Sequence, residues 1–286
     1  MTAIDLIFDA RIRDLGDGFN VRRVLPFAKR RAVGPFVFLD HIGPVQFEPG
    51  KGIDVRPHPH IGLATVTYLF EGAQVHRDST GAVQTIRPGD VNWMTAGSGV
   101  THSERSPEVE RAAGHPLYGM QSWVALPQEF AEVAPDFHHH PAATIPVIEK
   151  GGARLSLIAG SAYGATSPVK VFSETVYLIG DLAAGASVDL PTAAELAVYI
   201  VSGTATVDGT PLVEGQMAVL TASAILASEA GAKVVILGGE PLDGPRTIWW
   251  NFVAASPERI EQAKADWKAG SFEKVPGETE FIPLPE

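Results

Sequence analysis

Cysteine is absent from this chain of 286 residues. Its absence excludes disulfide bonds, thiolate ligands to a metal and a cysteine nucleophile. A metal site in this protein must therefore be built from histidine nitrogens and oxygen ligands. The lack of cysteine does not by itself fix the cellular compartment.

Positive charge is also scarce, because 22 Lys and Arg stand against 33 Asp and Glu, for a formal net charge of -11. An acidic chain repels the phosphate backbone, which disfavours direct binding of nucleic acid. The clustered basic residues, Arg22-Arg23 and 29–31, form a short group that we interpret as a solvated or ion-paired surface. We therefore expect no nucleic-acid partner.

Long hydrophobic runs are missing as well. No window approaches the roughly 18 apolar residues that a membrane-spanning helix needs. The first ten residues, MTAIDLIFDA, carry acids and no basic region ahead of a long apolar stretch, which is unlike a signal peptide. We expect a soluble, cytoplasmic protein with no membrane partner.

Glycine and proline, by contrast, are abundant and spread along the chain, with 29 and 22 residues. They separate short runs that are rich in β-branched and aromatic residues, such as FVFLD (36–40), ATVTYLF (64–70) and DVNWMT (90–95). Strands and turns at this spacing are typical of an antiparallel sandwich or barrel. The length allows one large domain or two medium ones.

One helix is predicted late in the chain, over SPERIEQAKADWKAG (256–270). Ser256 can cap its first turn, and Gly270 fits its end. Ile260, Ala263 and Trp267 share one face of this helix, and we expect that face to pack on a barrel.

The second half of the chain repeats the pattern of the first. TYLFEG followed by RPGDVNWM resembles VYIVSG followed by VEGQMAVL. Aligning Gly72 with Gly203, and Gly89 with Gly215, gives a register between the halves. Between them, PDFHHHPAATIP (135–146) is polar and contains three prolines and three histidines, and we interpret it as a linker.

Two short motifs have the spacing of a metal site. In RPHPHIGLATVTYLFEG, His58 and His60 are two residues apart, and such residues project to the same face of a strand. His102 and Glu104 in GVTHSERS have the same spacing one hairpin later. Neighbouring strands would bring three imidazoles and one carboxylate together. A hydrogen-bonded core histidine or a surface pair is the plain alternative for either motif taken alone.

The chemistry of these four groups limits the metal. Imidazole and carboxylate ligands suit Fe(II), Mn, Ni, Cu or Zn. Four protein ligands in a six-coordinate sphere leave two adjacent positions open, as an oxidase or oxygenase needs, whereas zinc more often has four ligands. We expect one divalent transition metal, with Fe(II) preferred and Mn and Ni next.

The register between the halves provides an internal control. It aligns the four candidate ligands, in chain order, with Asp189, Pro191, Ser228 and Ala230. These four residues make no comparable ligand set. We expect the second half to be a metal-free copy that is kept for packing or to enclose the site.

Four segments, RPHPHIGLATVTYLFEG, HRDSTG, RPGDVNWMTAGSGVTHSE and GPFVFLDHIGP, resemble the pirin family of the cupin superfamily. The similarity extends to GGEPL (238–242) and WWNFVAASPERIEQAKADW (249–267), so it covers nearly the whole chain. The resemblance implies an all-β bicupin, with two antiparallel β-barrel domains and a short C-terminal helix. It implies an N-terminal metal-binding barrel over 1–137 and a C-terminal degenerate barrel, without metal ligands, over 138–286.

The family's metal ligands fall on His58, His60, His102 and Glu104, the same four that the spacing selects. Many cupins have a glutamate shortly after the histidine pair, but residues 63–65 are LAT, so Glu104 must supply the carboxylate. Some family members are similar to quercetin 2,3-dioxygenases. Others, notably in animals, are similar to nuclear iron proteins that modulate transcription factors, and the fold alone does not decide between them.

We predict a monomeric dioxygenase that cleaves a flavonol such as quercetin with O2. Glu104 is the predicted catalytic residue, because a ligand with a spare oxygen can accept the proton of the substrate hydroxyl. Phe38, Met94 and Trp123 are candidates for contact with the substrate rings, although each is more often a core residue. The alternative is an iron-binding interaction module, without enzymatic activity, that modulates a protein partner such as a transcription regulator. A zinc-bound structural cupin ranks third.

The remaining histidines support smaller predictions. His41 could line the pocket or orient a ligand, or it could be a hydrogen-bonded core residue. His76 is expected to pair with Asp78 and fix a hairpin, and His115 could reach the rim of the site. The run 138–140 is not expected to form a site, because consecutive residues in a linker point in different directions.

Overall fold

The computed structural model describes residues 3–14 and 19–286, so the first two residues of the acidic N-terminal segment lie outside the described part. In chain order the strands are β1 (Ile4–Asp9), β2 (Arg11–Asp14), β3 (Asn20–Leu25), β4 (Phe36–Phe47), β5 (Asp54–His60), β6 (Leu63–Glu71), β7 (Gln74–Asp78), β8 (Val83–Ile86), β9 (Val91–Thr95), β10 (Val100–Arg105), β11 (His115–Ala125), β12 (Asp136–His140), β13 (Val147–Lys150), β14 (Ala153–Ala162), β15 (Ala165–Thr166), β16 (Thr175–Leu182), β17 (Ala186–Asp189), β18 (Glu195–Val207), β19 (Thr210–Val213), β20 (Gln216–Leu220), β21 (Ile225–Ser228), β22 (Ala232–Gly239), β23 (Thr247–Trp249) and β24 (Phe252–Ala254). The α-helices are α1 (Glu108–Ala113) and α2 (Pro257–Ala269), and two short 3-10 helices cover Gln128–Phe130 and Ala142–Thr144.

The architecture is all-β, as the strand and turn pattern predicted, and α2 is the predicted C-terminal helix. Ser256 caps α2 by accepting a hydrogen bond from the Arg259 backbone N–H, and Gly270 ends it in the left-handed conformation. Ile260 and Ala263 are buried in one cluster with Ile61 and Phe252, and Trp267 packs against it partly buried, which confirms the predicted packing face. No helix in the described residues is long and apolar enough to cross a membrane.

The first of two compact units consists of residues 3–14, 20–41 and 143–241. Its sheet has the strand order β1-β20-β18-β22-β16-β14-β13, and β15, β17, β19 and β21 pair at its margins. A cluster of buried aliphatic side chains, which includes Leu155, Val198 and Leu226, forms its core.

The second unit consists mainly of residues 42–142 and 242–286 and contains all four candidate ligands. A four-stranded sheet has the order β5-β10-β7-β8, and β12, β9, β6 and β11 are neighbours in another antiparallel sheet. The tight turn between β5 and β6 requires glycine. Gly62 has a φ of +68°, and a Cβ there would lie 2.0 Å from the Val253 carbonyl oxygen.

The compact units are not contiguous in sequence. Residues 3–14 and 20–41 belong with the second half of the chain, whereas 242–286 belong with the candidate ligands. The predicted division into 1–137 and 138–286 assigns the N-terminal segment to the metal-binding barrel and the C-terminal segment to the degenerate one. The compact units assign these two segments the other way round. As a boundary between folding domains, that division stays a proposal.

The prediction of a linker over 135–146 is wrong for residues 136–140. Residues Asp136–His140 form β12, which pairs antiparallel with β9, with His138 opposite Trp93. Three consecutive histidines have weak strand propensity, but backbone pairing with the buried strand β9 overrides it.

The register between the two halves identifies the corresponding strands, but on β17 it is off by one residue. β17 pairs with β21 as β5 pairs with β10, which matches the predicted order. Along β17, however, Val188 is buried whereas Asp189 is exposed. Val188 lies opposite Leu226, as His58 lies opposite His102, so aliphatic residues occupy the inward positions. The turn glycines were enough to align the strands, but a slip of one residue along β17 exchanges its two faces.

Candidate metal centre

The pairing of β5 with β10 brings the two predicted histidine motifs together. His102 lies directly opposite His58, and Val100 lies opposite His60. A register irregularity falls between His102 and Glu104, where one extra residue of β5 is accommodated. Such bulges re-aim side chains near functional sites. β5 is the edge strand of its sheet, which allows it to contain Pro57 and Pro59.

The three imidazoles converge. One nitrogen from each of His58, His60 and His102 lies within 4.8 Å of the nitrogens of the other two. The ring centroids of His58 and His102 are 4.3 Å apart, and those of His60 and His102 are 4.9 Å apart. This separation suits three nitrogens that bind one metal ion of the kind that imidazole prefers.

The other nitrogen of each ring has its own partner. His58 Nδ1 lies 2.9 Å from the Arg56 carbonyl oxygen, and His60 Nδ1 lies 3.1 Å from the Asn251 carbonyl oxygen. A carbonyl oxygen only accepts, so both Nδ1 atoms carry the proton and both Nε2 atoms keep a lone pair. Histidine ligands of metals are generally oriented in this way.

His102 is held by a side chain rather than by the backbone. Its Nδ1 lies 3.4 Å from His76 Nδ1, and His76 Nε2 lies 2.8 Å from Asp78 Oδ2. The Nε2 atom of His102 is buried and has no hydrogen-bond partner in the part of the chain that the structure describes. The predicted pairing of His76 with Asp78 is present.

Glu104 lies next to this cluster but is not one of its three members. It is opposite His76 on β7, and its side chain is buried. Gln121 Nε2 donates a hydrogen bond of 3.3 Å to Glu104 Oε1, and Thr67 donates one to Gln121 Oε1. The Gln121 amide therefore helps to orient the carboxylate.

Burial controls the protonation of these groups. It lowers the pKa of His58 to about 4, and it lowers the pKa values of His60 and His102 well below the ordinary value, with neighbouring histidines adding to the effect. Burial also raises the pKa of Glu104, although His76 and two glutamine side chains oppose that change. Near neutral pH the three imidazoles are therefore uncharged, as metal ligands must be.

The imidazoles are poorly accessible to solvent. His58 has 6% of its surface exposed, His60 has 1% and His102 has none. A cavity of about 720 Å³ is lined instead by Pro57 and Thr101, each of which directly precedes a candidate ligand, and by the C-terminal segment. Because adjacent residues of a strand face opposite ways, this cavity lies behind the imidazoles.

The predicted substrate-contact residues have different positions. Trp123 contacts the site, because its ring lies 5.2 Å from the His60 ring in a T-shaped arrangement. Met94 is buried, with 1% of its surface exposed. Phe38 belongs to the first unit, where the Arg23 guanidinium lies over its ring.

Three other histidine predictions can be compared with the structure. His41 lies in the first unit, where its Nδ1 is 2.9 Å from the Tyr199 hydroxyl, which fits the core alternative. His115 is buried beside Phe47, with its Nδ1 near the Pro116 carbonyl. On β12, His138 pairs with Asp136, and the run 138–140 is not part of the three-histidine cluster.

Sequence reasoning missed the groups that orient the candidate ligands. Asn251 reaches His60 from 191 residues away in sequence, and Gln121 reaches Glu104 from β11. Asp78 was recognised only as a hairpin partner of His76. The HxD spacing could have shown that His76 and Asp78 share a face, but it could not show that His102 faces them across the sheet.

Known proteins resemble this chain over nearly its whole length. Residues 18–124 match the family described as Pirin, and residues 177–273 match the Pirin C-terminal cupin domain. A pirin-like protein of Caulobacter vibrioides is 55% identical over 99% of this chain and 100% of its own length. Pirin of Mus musculus is 33% identical over 91% of this chain and 90% of its own length.

A solved structure also has the same fold. The crystal structure of a quercetin 2,3-dioxygenase from Acinetobacter baumannii superposes with a TM-score of 0.91 at 34% sequence identity. The match covers 98% of this chain and 95% of that one. The likeness therefore includes both units, with the strands that position the candidate ligands.

Proposed function

Since this chain belongs to the pirin family and has two cupin domains, we propose that it is a metal-dependent dioxygenase that cleaves flavonol-like substrates with O2. The convergence of three buried, uncharged imidazoles is the observation that carries the proposal. The likeness to a quercetin 2,3-dioxygenase at 34% identity supports the substrate class.

The residues present fit a divalent transition metal. His58, His60 and His102 would bind it through Nε2, because the Nδ1 atoms of His58 and His60 face carbonyl oxygens and that of His102 faces His76. The buried carboxylate of Glu104 is the proposed fourth ligand. A set of nitrogens with one carboxylate suits Fe(II), with Mn and Ni next.

Glu104 is the proposed proton acceptor. Its carboxylate is buried and oriented by Gln121, so it can receive a proton from the 3-hydroxyl group of a flavonol. When bound, the metal supplies Lewis acidity that lowers the cost of the resulting substrate anion. Trp123, which packs against His60, would bound the space for the substrate rings.

The overall reaction consumes one O2 for each flavonol. Both oxygen atoms enter the products as the central ring opens, and one carbon of the ring leaves as carbon monoxide. The proton that Glu104 accepts from the 3-hydroxyl group returns to the product before release, so the residue is unchanged over a cycle.

Oxygen-dependent loss of quercetin tests this proposal. Protein loaded anaerobically with Fe(II), Mn or Ni is mixed with quercetin and O2, and flavonol absorbance and carbon monoxide are followed. We expect metal-dependent turnover that falls at least 100-fold in His102→Ala, because one of three nitrogen ligands is lost. His138→Ala, which changes an exposed histidine outside the cluster, should keep full activity.

No turnover with any of the three metals, in protein shown to contain them, would contradict the enzymatic proposal. The low exposure of the imidazoles would then favour the second candidate, an iron-binding interaction module. A metal that substrates cannot reach could still alter the surface that a protein partner binds. The same three histidines would bind the metal in either case.

A further inference from the structure

The three candidate ligands differ in what determines the position of their proton. Backbone carbonyl oxygens hold Nδ1 of His58 and His60, and a carbonyl can only accept a hydrogen bond. His102 Nδ1 instead faces another imidazole nitrogen, His76 Nδ1, which can accept or donate. The protonation pattern of His102 therefore depends on the group that holds His76.

Asp78 is that group, and its carboxylate is fully engaged. The residue has 0% of its surface exposed. Its Oδ1 accepts hydrogen bonds from Thr80 N at 2.9 Å, Thr80 Oγ1 at 2.6 Å and Ala82 N at 3.2 Å. Its Oδ2 faces His76 Nε2 at 2.8 Å. The hairpin after β7 thus fixes which oxygen points to His76.

We propose that Asp78 and His76 are positioning residues that keep the proton of His102 on Nδ1 and leave Nε2 free to bind metal. The inference rests on the proposed function only in that a metal binds at this site. Asp78 Oδ2 accepts a hydrogen bond from the Nε2–H group of His76, so His76 Nδ1 carries no proton and is an acceptor. His102 Nδ1 then donates to it, and the lone pair of His102 Nε2 points away, where it has no protein partner.

The contact between His76 and Phe137 supports this role for the pair. The two rings are stacked, with centroids 4.3 Å apart and planes within 11° of parallel. His76 is 4% exposed. Stacking and the hydrogen bond to Asp78 together fix the plane of His76 and the direction of its Nδ1, so the ring acts as a fixed acceptor for His102.

Asp78→Asn tests the proposal with a side chain of the same shape. Two backbone N–H groups point at Oδ1, so the amide oxygen of the variant must occupy that position. The amide nitrogen then faces His76 Nε2 and donates to it. His76 must move its proton to Nδ1, and His102 Nδ1 becomes the acceptor. The proton of His102 is thereby moved to Nε2, where it blocks metal binding.

The first measurement is the tautomer of His102 by ¹⁵N NMR of the histidine rings, in metal-free protein near pH 8. We expect Nδ1–H in the wild type and Nε2–H in Asp78→Asn. Asp136→Asn is the matched control, because His138 Nε2 lies 2.8 Å from Asp136 Oδ2 in an exposed pair with the same two-residue spacing. This control should leave His102 unchanged.

The second measurement is the dissociation constant for Fe(II), by anaerobic titration calorimetry. We expect it to rise at least tenfold in Asp78→Asn, as changes to groups that orient metal ligands commonly do, and to stay within twofold in Asp136→Asn. A variant that keeps both the wild-type tautomer and the wild-type affinity would overturn the proposal.

A second variant covers the case in which Asp78→Asn does not fold. His76→Phe replaces the imidazole with a phenyl ring that can still stack on Phe137, but it removes the nitrogen acceptor for His102. We expect a mixture of His102 tautomers and weaker Fe(II) binding, whereas a single Nδ1–H tautomer would contradict the proposal. Neither NMR result depends on quercetin turnover, so failure of this inference can be distinguished from failure of the proposed function.

Discussion

The three candidate ligands were predictable from the sequence, whereas the groups that orient them were not. His58 and His60 alternate along one strand, and His102 follows one hairpin later, so local spacing was sufficient. Asn251 approaches His60 through the backbone of a distant hairpin, which no side-chain pattern marks. Every residue has a backbone carbonyl, so the amino-acid type at position 251 does not show that its carbonyl contacts His60.

Replacing one oxygen of the Glu104 carboxylate with an amide nitrogen tests its proposed role as proton acceptor. We expect Glu104→Gln to keep some of its metal, because three nitrogens remain and an amide oxygen can still bind. Quercetin turnover should fall about 100-fold or more, since a positioned base contributes 10²–10⁴ in rate. Metal content by elemental analysis and kcat by absorbance, measured on the same sample, separate the two effects.

Glu149→Gln is the control for this prediction, because Glu149 is an exposed carboxylate in the first unit. It should keep both metal and turnover. Full activity of Glu104→Gln would contradict the role of Glu104 as proton acceptor, whereas loss of metal would show that the carboxylate is needed to hold it.

Elements with a strong local pattern were predicted correctly, and those that depend on neighbours were not. The helix α2 has a cap, a stop and an apolar face, all of which are visible in sequence. The helix α1 is six residues long and buries none of them, so its sequence has no apolar periodicity that would predict a helix. Strand β12 has no regular alternation and depends on pairing with β9.

The C-terminal segment is held on the strand that carries His102. Arg105 donates from Nε and Nη2 to the two oxygens of Glu278, at 3.1 and 2.6 Å, and Ser103 donates to the same carboxylate at 2.8 Å. Farther along, Ile282 N donates to the Pro57 carbonyl oxygen. These contacts cover the edge of β5, which would otherwise expose unpaired backbone groups.

The stability that Glu278 contributes should depend on pH. Hydrogen bonds from Arg105 lower the pKa of this carboxyl, whose side chain is 9% exposed. A carboxyl with a lowered folded-state pKa stabilises the fold above its unfolded pKa of about 4.3, and the contribution is lost as the pH falls through the folded value. Glu278→Gln should therefore lower the free energy of unfolding by about 1 kcal/mol at pH 7.

Urea unfolding between pH 7 and pH 4 measures this effect. The difference between Glu278→Gln and the wild type should shrink toward the acidic end. Glu280→Gln is the matched control, because Glu280 also contacts Arg105 but is 58% exposed, and its effect should be small. A difference that is constant with pH would show that the charge of Glu278 is not responsible.

Across the whole molecule, the two cupin domains share a strand order but differ in what fills the space between strands. In the second unit, the inward positions of β5 and β10 hold histidines. In the first unit, the corresponding strands β17 and β21 place Val188 and Leu226 in an aliphatic core. The sequence showed that the second half lacks ligands. Because the sequence register aligned His58 with the exposed Asp189, it did not show that the buried Val188 occupies the inward position.

Leu226 tests whether the aliphatic domain serves packing alone. Its side chain is fully buried in the core of the first unit. Leu226→Ala removes buried methyl groups and leaves a cavity, so the free energy of unfolding should fall by about 2–5 kcal/mol. If the aliphatic core contributes only stability, the dissociation constant for Fe(II), measured well below the unfolding transition, should stay within twofold of the wild type. A tenfold weaker affinity in protein shown to be folded would mean that this core also shapes the three-histidine cluster.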